Sequence, residues 1–246
     1  MHSVRLSKYL VDCAIASRRQ ARRLIREGRV KVNGVVVKDP DRRVVPGRDV
    51  VEYEGQAIKP IGHLYIAFYK PQGYLTAFGK APDGKEGIDR FLEGLPKKVG
   101  PAGRLDYDAE GLLLLTDDGE LAHRVMHPKY KLPKTYEVLV EGRVEAQTLE
   151  KMLEGAHLRD GLAKPESLKL LGYWGEDTLL EVVFTEGRYH LVKRFMAYFG
   201  HKVKRLKRTA IGPIRLGDLK PGQWRHLSEG EIEALRLALG MDNIQE

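Results

Sequence analysis

The sequence contains a single cysteine, Cys13, and no run of about 18 uncharged apolar residues. One cysteine can form neither an internal disulfide nor a cysteine-based zinc site, which predicts a reducing compartment and a small core residue at Cys13. The missing apolar run argues against a membrane-spanning helix. Asp12 interrupts the first apolar segment too early for a secretion signal. We therefore expect a soluble, cytoplasmic protein.

Several common catalytic motifs are also missing. There is no glycine-rich phosphate loop, no G-x-S-x-G turn and no dinucleotide fingerprint. His123 and His127 have helical i,i+4 spacing, but no glutamate or cysteine pattern of a zinc site accompanies them, which favours packing or RNA contact. We therefore expect catalysis without a metal and without a cofactor.

The positive charge is concentrated in the first quarter of the chain. The 246 residues carry a formal net charge of +8, and residues 1–62 alone hold 14 Lys and Arg against 7 Asp and Glu. Such a field attracts polyanions. The Gly and Pro residues of segment 55–62 are typical of a linker, so we predict a small domain over residues 1–62 and a larger one over 63–246.

Local signals define the small domain as a mixture of helix and strand. Apolar residues recur at helical spacing over 6–14, and Ser17 with Gln20 forms a capping-box pattern that predicts a second helix ending at Gly28. The Asn33-Gly34 pair between valine-rich runs predicts a β-hairpin.

The second helix and the hairpin carry a set of cations that suits an RNA backbone. A solvated helix face is the alternative, but Glu27 is the only acid interspersed among them, which favours nucleic acid. Segments 5–10 and 30–34 resemble those of an S4 domain, a small RNA-binding fold, and the resemblance implies reading of RNA shape and backbone. The expected contacts are Arg18, Arg19, Arg22, Arg23, Arg26, Arg29 and Lys31.

From residue 63 onward, predicted strands outnumber helices and do not alternate regularly with them. This pattern indicates an α+β domain with a mostly antiparallel sheet. Strands are predicted over 63–69, 135–140 and 178–185, and helices over 120–126, 147–153, 190–199 and 229–239.

Three segments of this larger domain carry candidate chemistry. Gly103-Arg104-Leu105-Asp106 leads into Gly111 and an apolar run, which places a carboxylate and a guanidinium on a turn before a buried strand. Tyr136 lies in a strand and could stack on a base. Segment 186–195 contains a glycine turn and then a helix that begins with aromatic and basic groups. Taken singly, each has a structural explanation as a turn cap, a core residue or a solvated surface.

Six further segments follow one another in a fixed order: Gly103-Arg104-Leu105-Asp106, 111–116, Asp118-Gly119-Glu120, Met126-His127-Pro128, Lys134-Thr135-Tyr136, and Glu186-Gly187-Arg188 with Val192-Lys193-Arg194. Together with the basic module, they resemble the ribosomal RNA pseudouridine synthases that carry an N-terminal S4 domain. The resemblance runs from the S4 part to about Leu239. It implies a cofactor-free isomerisation of a uridine in ribosomal RNA, with the target nucleotide flipped out of its stack. The partner implied is ribosomal RNA or a subunit assembly intermediate, and we expect a monomer.

The resemblance also implies residue roles. Asp106 matches the essential carboxylate, acting as nucleophile or as base, and Tyr136 matches the aromatic that stacks on the base. Lys193 matches the cation that keeps the aspartate ionised, and Arg104 is implied to fill the gap left by the flipped nucleotide. We expect further RNA contacts from Arg188 and Arg194.

Two features leave alternatives open. Leu191 stands where many relatives have Gln, which leaves the register of Lys193 against Arg194 open, and Asp108 competes with Asp106 as a carboxylate. Segments 126–130 and 200–208 resemble the large-subunit members, which favours a 23S target, whereas 189–194 resembles the small-subunit, 16S member. A non-catalytic S4-type assembly factor and a nucleosidase or glycosylase are the other classes considered.

Overall fold

The computed structural model describes residues 2–241, so Met1 and residues 242–246 of the predicted domains lie outside the described residues. The chain separates into two compact units. The N-terminal unit is Met1–His63 with Gly94–Lys98, and the larger unit is Leu64–Glu93 with Val99–Glu246. The association of Gly94–Lys98 with the N-terminal unit has no signal in the local sequence pattern.

The N-terminal unit combines two helices with short antiparallel strands. Strands β2, β3, β5 and β6 form one sheet in the order β3-β2-β5-β6, and β1 pairs with β4. The elements are β1 (Val4–Arg5), α1 (Leu6–Asp12), α2 (Arg18–Arg26), β2 (Val30–Val32), β3 (Val35–Val36), β4 (Arg43–Val44), β5 (Val51–Tyr53) and β6 (Gln56–Ile58).

The predicted start, end and turn signals of this unit are confirmed. Ser17 Oγ accepts a hydrogen bond from the Gln20 backbone N–H, and Gln20 Oε1 accepts one from the Ser17 backbone N–H, so α2 begins with a capping box. Gly28 follows the helix with φ +75°. Asn33 and Gly34 both have positive φ in the tight turn between β2 and β3.

Cys13 belongs to the core of the N-terminal unit, as predicted. It packs with buried residues of both helices and of the sheet, among them Leu10, Ile25 and Val30. Burial, together with the nearby Asp12 charge, raises the pKa of the Cys13 thiol to about 12. The thiol is therefore un-ionised and unreactive at neutral pH.

The larger unit is built on one nine-stranded sheet flanked by helices, with 3₁₀ turns at Asp89–Phe91 and Pro128–Tyr130. Its strands are β7 (Tyr65–Lys70), β8 (Gly100–Ala102), β9 (Glu110–Thr116), β10 (Lys134–Val140), β13 (Ser167–Trp174), β14 (Asp177–Phe184), β15 (Val203–Ile211), β16 (Ile214–Arg215) and β17 (Trp224–His226), and β11 (Ala156–Leu158) and β12 (Gly161–Ala163) form a separate hairpin. Its helices are α3 (Gly119–Met126), α4 (Ala146–Glu154), α5 (Leu191–Tyr198) and α6 (Glu229–Ala238).

The strand order of this sheet is β13-β14-β10-β15-β9-β7-β17, with β8 on β9 and β16 on β15. All described pairs are antiparallel except β9 with β15, which run parallel. The α+β class with a mostly antiparallel sheet is therefore confirmed. Each predicted helix and strand in this unit is present and shifted by at most two residues at either end.

Helices α3 and α6 pack on the sheet through Leu121, Val125 and Leu235. Helix α5 packs on β14, where Phe195 meets Phe184 edge-on at 5.2 Å between ring centroids. This contact holds the middle of α5 against the sheet. Among residues 2–241, no helix has the length and apolar character needed to cross a bilayer.

Candidate active site

A cavity of about 650 Å³ lies within the larger unit. The loop between β8 and β9 forms one wall, segment 186–193 forms another, and the facing strands β10 and β15 form the floor. The three segments singled out in the sequence therefore meet in one cavity. The predicted residues that line it are Arg104, Asp106, Tyr136, Arg188 and Lys193.

Asp106 lies between two nitrogen-bearing side chains. Its carboxylate is about one-third exposed; Lys193 Nζ lies 3.5 Å from Oδ2 and His190 Nε2 lies 3.4 Å from Oδ1. The expected proximity of Lys193 to Asp106 is thus present. The contact of His190 with Asp106 was not predicted, although His190 lies in segment 186–195, which carries candidate chemistry.

Lys193 is shared between two carboxylates. Its ammonium makes the shorter contact with Asp108, at 2.5 Å from Oδ1. Burial would raise the pKa of Asp108, but the hydrogen bond and charge of Lys193 hold it below its ordinary value. Lys193 rather than Arg194 faces this loop, because Arg194 hydrogen-bonds to both carboxylate oxygens of Asp160.

The loop that carries Asp106 is held by hydrogen bonds from neighbouring segments. Thr76 Oγ1 donates to the Leu105 carbonyl at 2.7 Å and accepts from the Leu105 N–H at 3.0 Å. Lys70 Nζ donates to the Ala109 carbonyl at 2.7 Å. Arg208 Nη1 donates to the Arg104 carbonyl at 3.2 Å. These bonds fix the backbone on both sides of Asp106, as a preorganised site requires.

Lys70 is fully buried beneath this loop. Its burial lowers the pKa of the ammonium to about 8, although the charges of Asp106, Asp108 and Glu110 oppose the shift. Hydrogen bonds to the Pro71 and Ala109 carbonyls satisfy the side chain. Lys70 therefore supports the loop from below and adds positive charge under the carboxylates.

Tyr136 lies on the cavity floor. It is 9 % exposed and stands directly across the strand pair from Arg208. It lines the cavity together with the Asp106 loop and segment 186–193.

Arg104 and Tyr189 are exposed residues of the lining. Tyr189 is 77 % exposed and stacks on the His190 ring, with centroids 3.8 Å apart and planes inclined by 14°. His190 has φ +47°, a left-handed conformation that is uncommon outside glycine and typical of functional sites.

Arg188 and Arg194, both expected to contact RNA, are held by a shared acid. Arg188 Nη1 and Arg194 Nη1 each lie 2.9 Å from Asp160 Oδ1, and Arg188 also binds Glu186. The hydrogen bond from Arg194 lowers the pKa of Asp160 to about 2. Their side chains thus brace segment 186–194 against the β11–β12 turn.

The cations of the N-terminal unit fall into two groups. Arg22 pairs with Asp41, Arg29 with Glu54, and Arg23 with Glu27 at a longer 3.6 Å. Glu27 is the one acid interspersed among these cations in the sequence, but folding also brings Asp41 to Arg22 and Glu54 to Arg29 from distant positions. Within residues 2–241, no ion pair holds the exposed Arg18, Arg19, Arg26 and Lys31.

His123 and His127 lie with ring centroids 5.3 Å apart on α3 and its C-cap. No group of three or more His, Cys, Asp or Glu side chains is arranged to hold a metal ion among the residues that the structure describes.

Comparison with known proteins assigns both units. The RNA pseudouridylate synthase family model matches residues 64–198, and the S4 domain model matches residues 4–50. A solved structure described as a pseudouridylate synthase superimposes with a TM-score of 0.63 at 36 % identity, covering 94 % of this chain and 99 % of that one.

Curated relatives match over nearly their whole length. An uncharacterized RNA pseudouridine synthase of Aquifex aeolicus is 54 % identical over 98 % of this chain and 97 % of its own. Ribosomal large subunit pseudouridine synthase B of Bacillus subtilis is 38 % identical, covering 94 % and 95 %. Ribosomal small subunit pseudouridine synthase A of Vibrio parahaemolyticus is also 38 % identical, covering 94 % and 99 %.

The chain therefore belongs to the RNA pseudouridine synthase family and carries an S4 domain. It is an RNA pseudouridine synthase, and the resemblance read from its sequence is confirmed.

Proposed function

We propose that the protein isomerises a uridine of ribosomal RNA to pseudouridine, with Asp106 as the essential carboxylate. The observation that carries this proposal is the position of Asp106 on a tethered loop, at a cavity wall, within 3.5 Å of the Lys193 ammonium. Either a nucleophile or a base needs the carboxylate in its charged form, and the Lys193 ammonium lies beside it as the countercharge.

The reaction rearranges one nucleotide without oxidation or reduction. The bond from N1 to C1′ breaks, the uracil turns, and C5 bonds to C1′; the proton lost from C5 is balanced by one gained at N1. Asp106 either attacks C1′ as N1 leaves and is itself displaced when C5 bonds to C1′, or removes a proton from the sugar as N1 leaves and returns it when C5 bonds to C1′. Tyr136 stacks on the uracil while it turns, since an aromatic face holds a base plane without fixing its rotation.

The target nucleotide has to leave its stack to reach this cavity. Flipping costs a few kcal/mol, which contacts with the protein must offset. We propose that Arg104 at the cavity rim occupies the gap in the RNA, and that the unpaired cations of the N-terminal unit bind the surrounding backbone. We further propose a monomeric enzyme that acts in the cytoplasm.

We favour the large-subunit RNA as substrate because segments 126–130 and 200–208 resemble large-subunit enzymes. The small-subunit RNA is the second candidate, since the relatives named for the two subunits are equally identical to this chain. A non-catalytic assembly factor is disfavoured by the joint presence of Asp106, Tyr136 and Lys193 in one cavity.

Carbodiimide mapping of pseudouridine by primer extension tests this proposal. Ribosomal RNA from cells lacking the protein should lose one signal, in the large-subunit RNA, and purified protein should restore it in vitro. A signal lost from the small-subunit RNA would select the second candidate. An unchanged pattern in both RNAs would contradict the proposed function.

A further inference from the structure

Two buried cations lie on the cavity floor beside Tyr136. Lys134 and Tyr136 are two residues apart on β10 and share a face of the sheet, and Arg208 on β15 stands opposite Tyr136. Lys134 is 7 % exposed and Arg208 is 4 % exposed, and both line the cavity.

The hydrogen bonds of these cations are incomplete. Arg208 Nε donates to the Leu112 carbonyl at 2.8 Å and Nη1 to the Arg104 carbonyl, but the buried Nη2 has no hydrogen-bond partner among the described residues. No hydrogen bond or ion pair reaches the Lys134 ammonium from residues 2–241. Lys70, which is as deeply buried, binds two carbonyls. Among the buried Lys and Arg side chains of the described residues, Lys134 and Arg208 on the cavity floor are thus the incompletely paired ones.

The local electrostatics leave positive charge uncompensated. Burial and the like charge of Arg208 lower the pKa of Lys134 to about 8, and no carboxylate contributes in the opposite direction. An uncompensated buried charge is costly, and such groups are retained mostly where they bind a ligand or act in catalysis. An anion in the cavity would relieve both the repulsion and the unsatisfied donor.

The chemistry of the donors indicates which anion. A guanidinium and an ammonium together match the oxygens of a phosphate, which carries a full negative charge, whereas a uracil carbonyl carries only a partial one. The cavity volume is within the range that encloses a whole small ligand rather than a base alone. A flipped nucleotide brings its own backbone phosphate with it.

We propose that Lys134 and Arg208 form a phosphate subsite that takes a backbone phosphate of the flipped nucleotide. This inference rests on the proposed function, because it assumes that a uridine of the RNA enters the cavity next to Asp106. Lys134 is the residue to vary, since Arg208 also holds the Arg104 carbonyl.

The test compares binding of uridine, uridine 5′-monophosphate, uridine 3′-monophosphate and inorganic phosphate to the full chain by isothermal titration calorimetry at low salt. At least one monophosphate should bind wild type about tenfold or more tightly than uridine does, the size expected of one charge-assisted contact. This advantage, the ratio of monophosphate affinity to uridine affinity, should fall below about threefold in Lys134→Met and in Lys134→Gln. Lys134→Arg should retain most of it.

Lys151→Met is the matched control, because it removes one exposed lysine of α4, away from the cavity, and should keep the full advantage. An advantage that survives in both Lys134 variants would overturn the subsite. Inorganic phosphate binding as tightly as the monophosphates would overturn its assignment to the nucleotide. The readout needs no turnover, so a failed carbodiimide mapping with an intact phosphate preference would contradict the proposed function and leave the subsite standing.

Discussion

Gly111 lies directly against the backbone of Arg208, at the one parallel contact between β9 and β15. A Cβ at this position would overlap the Arg208 carbonyl and lie 2.7 Å from the Arg208 nitrogen, and the φ of +112° is one that side chains rarely adopt. The glycine thus allows the strand after the Asp106 loop to approach the strand that carries Arg208. It couples the loop to the cavity floor.

Gly111→Ala should therefore lower the free energy of unfolding by about 2–4 kcal/mol, through backbone strain and overpacking. Denaturant unfolding measures this change. Gly230→Ala, in helix α6 with open space at its Cβ, should leave stability equal or slightly higher. Similar stabilities for wild type and Gly111→Ala would show that β9 and β15 can separate without cost.

Lys134→Met should stabilise the protein at neutral pH. Burial and Arg208 depress the folded pKa of Lys134 to about 8, below its ordinary value near 10.5. Between these values the unfolded chain binds more protons, so wild-type stability rises with pH across this window. The variant should be more stable by roughly 1–3 kcal/mol at pH 7, given about 1.4 kcal/mol per pKa unit.

This gain should shrink as the pH rises from 8 toward 10.5, because neutral Lys134 no longer carries a buried charge. Unfolding of wild type and Lys134→Met at several pH values measures the difference in stability. Lys70 is present in both proteins, so its titration cancels in this difference. A gain that does not vary with pH would mean that packing rather than charge sets the effect.

The unpaired cations of the N-terminal unit should dominate its RNA affinity. Combined substitution of Arg18, Arg19 and Arg26 by Gln should weaken RNA binding. It should also reduce the magnitude of the slope of log K, the logarithm of the binding constant, against log salt by about 2–3, since each phosphate contact contributes about 0.7–0.9 to that slope. Binding of ribosomal RNA between about 50 and 200 mM salt measures the slope.

Arg22→Gln with Arg29→Gln provides the comparison. Their guanidinium groups already pair with Asp41 and Glu54, so each releases fewer counterions when RNA binds. The slope should change by less than about 1 in this double variant. Equal slope changes in the two sets would show that the ion pairs open on binding.

Local signals account for most of what could be predicted. The capping box at Ser17 and the Asn33-Gly34 turn act over a few residues, so their outcome is readable from the sequence. The order of motifs in the chain also predicts that Asp106, Tyr136 and Lys193 share one site, and all three line the cavity.

Contacts between distant segments could not be predicted in the same way. The pairing of Arg194 with Asp160, of Arg22 with Asp41 and of His190 with Asp106 depends on how strands and loops meet in three dimensions. The burial of Lys70 could not be predicted either, because a lysine at the end of a strand is ordinarily solvated. Only the fold shows that it is buried under the Asp106 loop.

The proposed reaction requires Asp106, rather than its neighbour Asp108, to perform the chemistry. Single-turnover isomerisation by Asp106→Asn should fall at least about 10³-fold with RNA affinity retained, whereas Asp108→Asn should lose less than about tenfold because it only helps to hold Lys193. Near wild-type turnover by Asp106→Asn, or a larger loss in Asp108→Asn, would contradict the account.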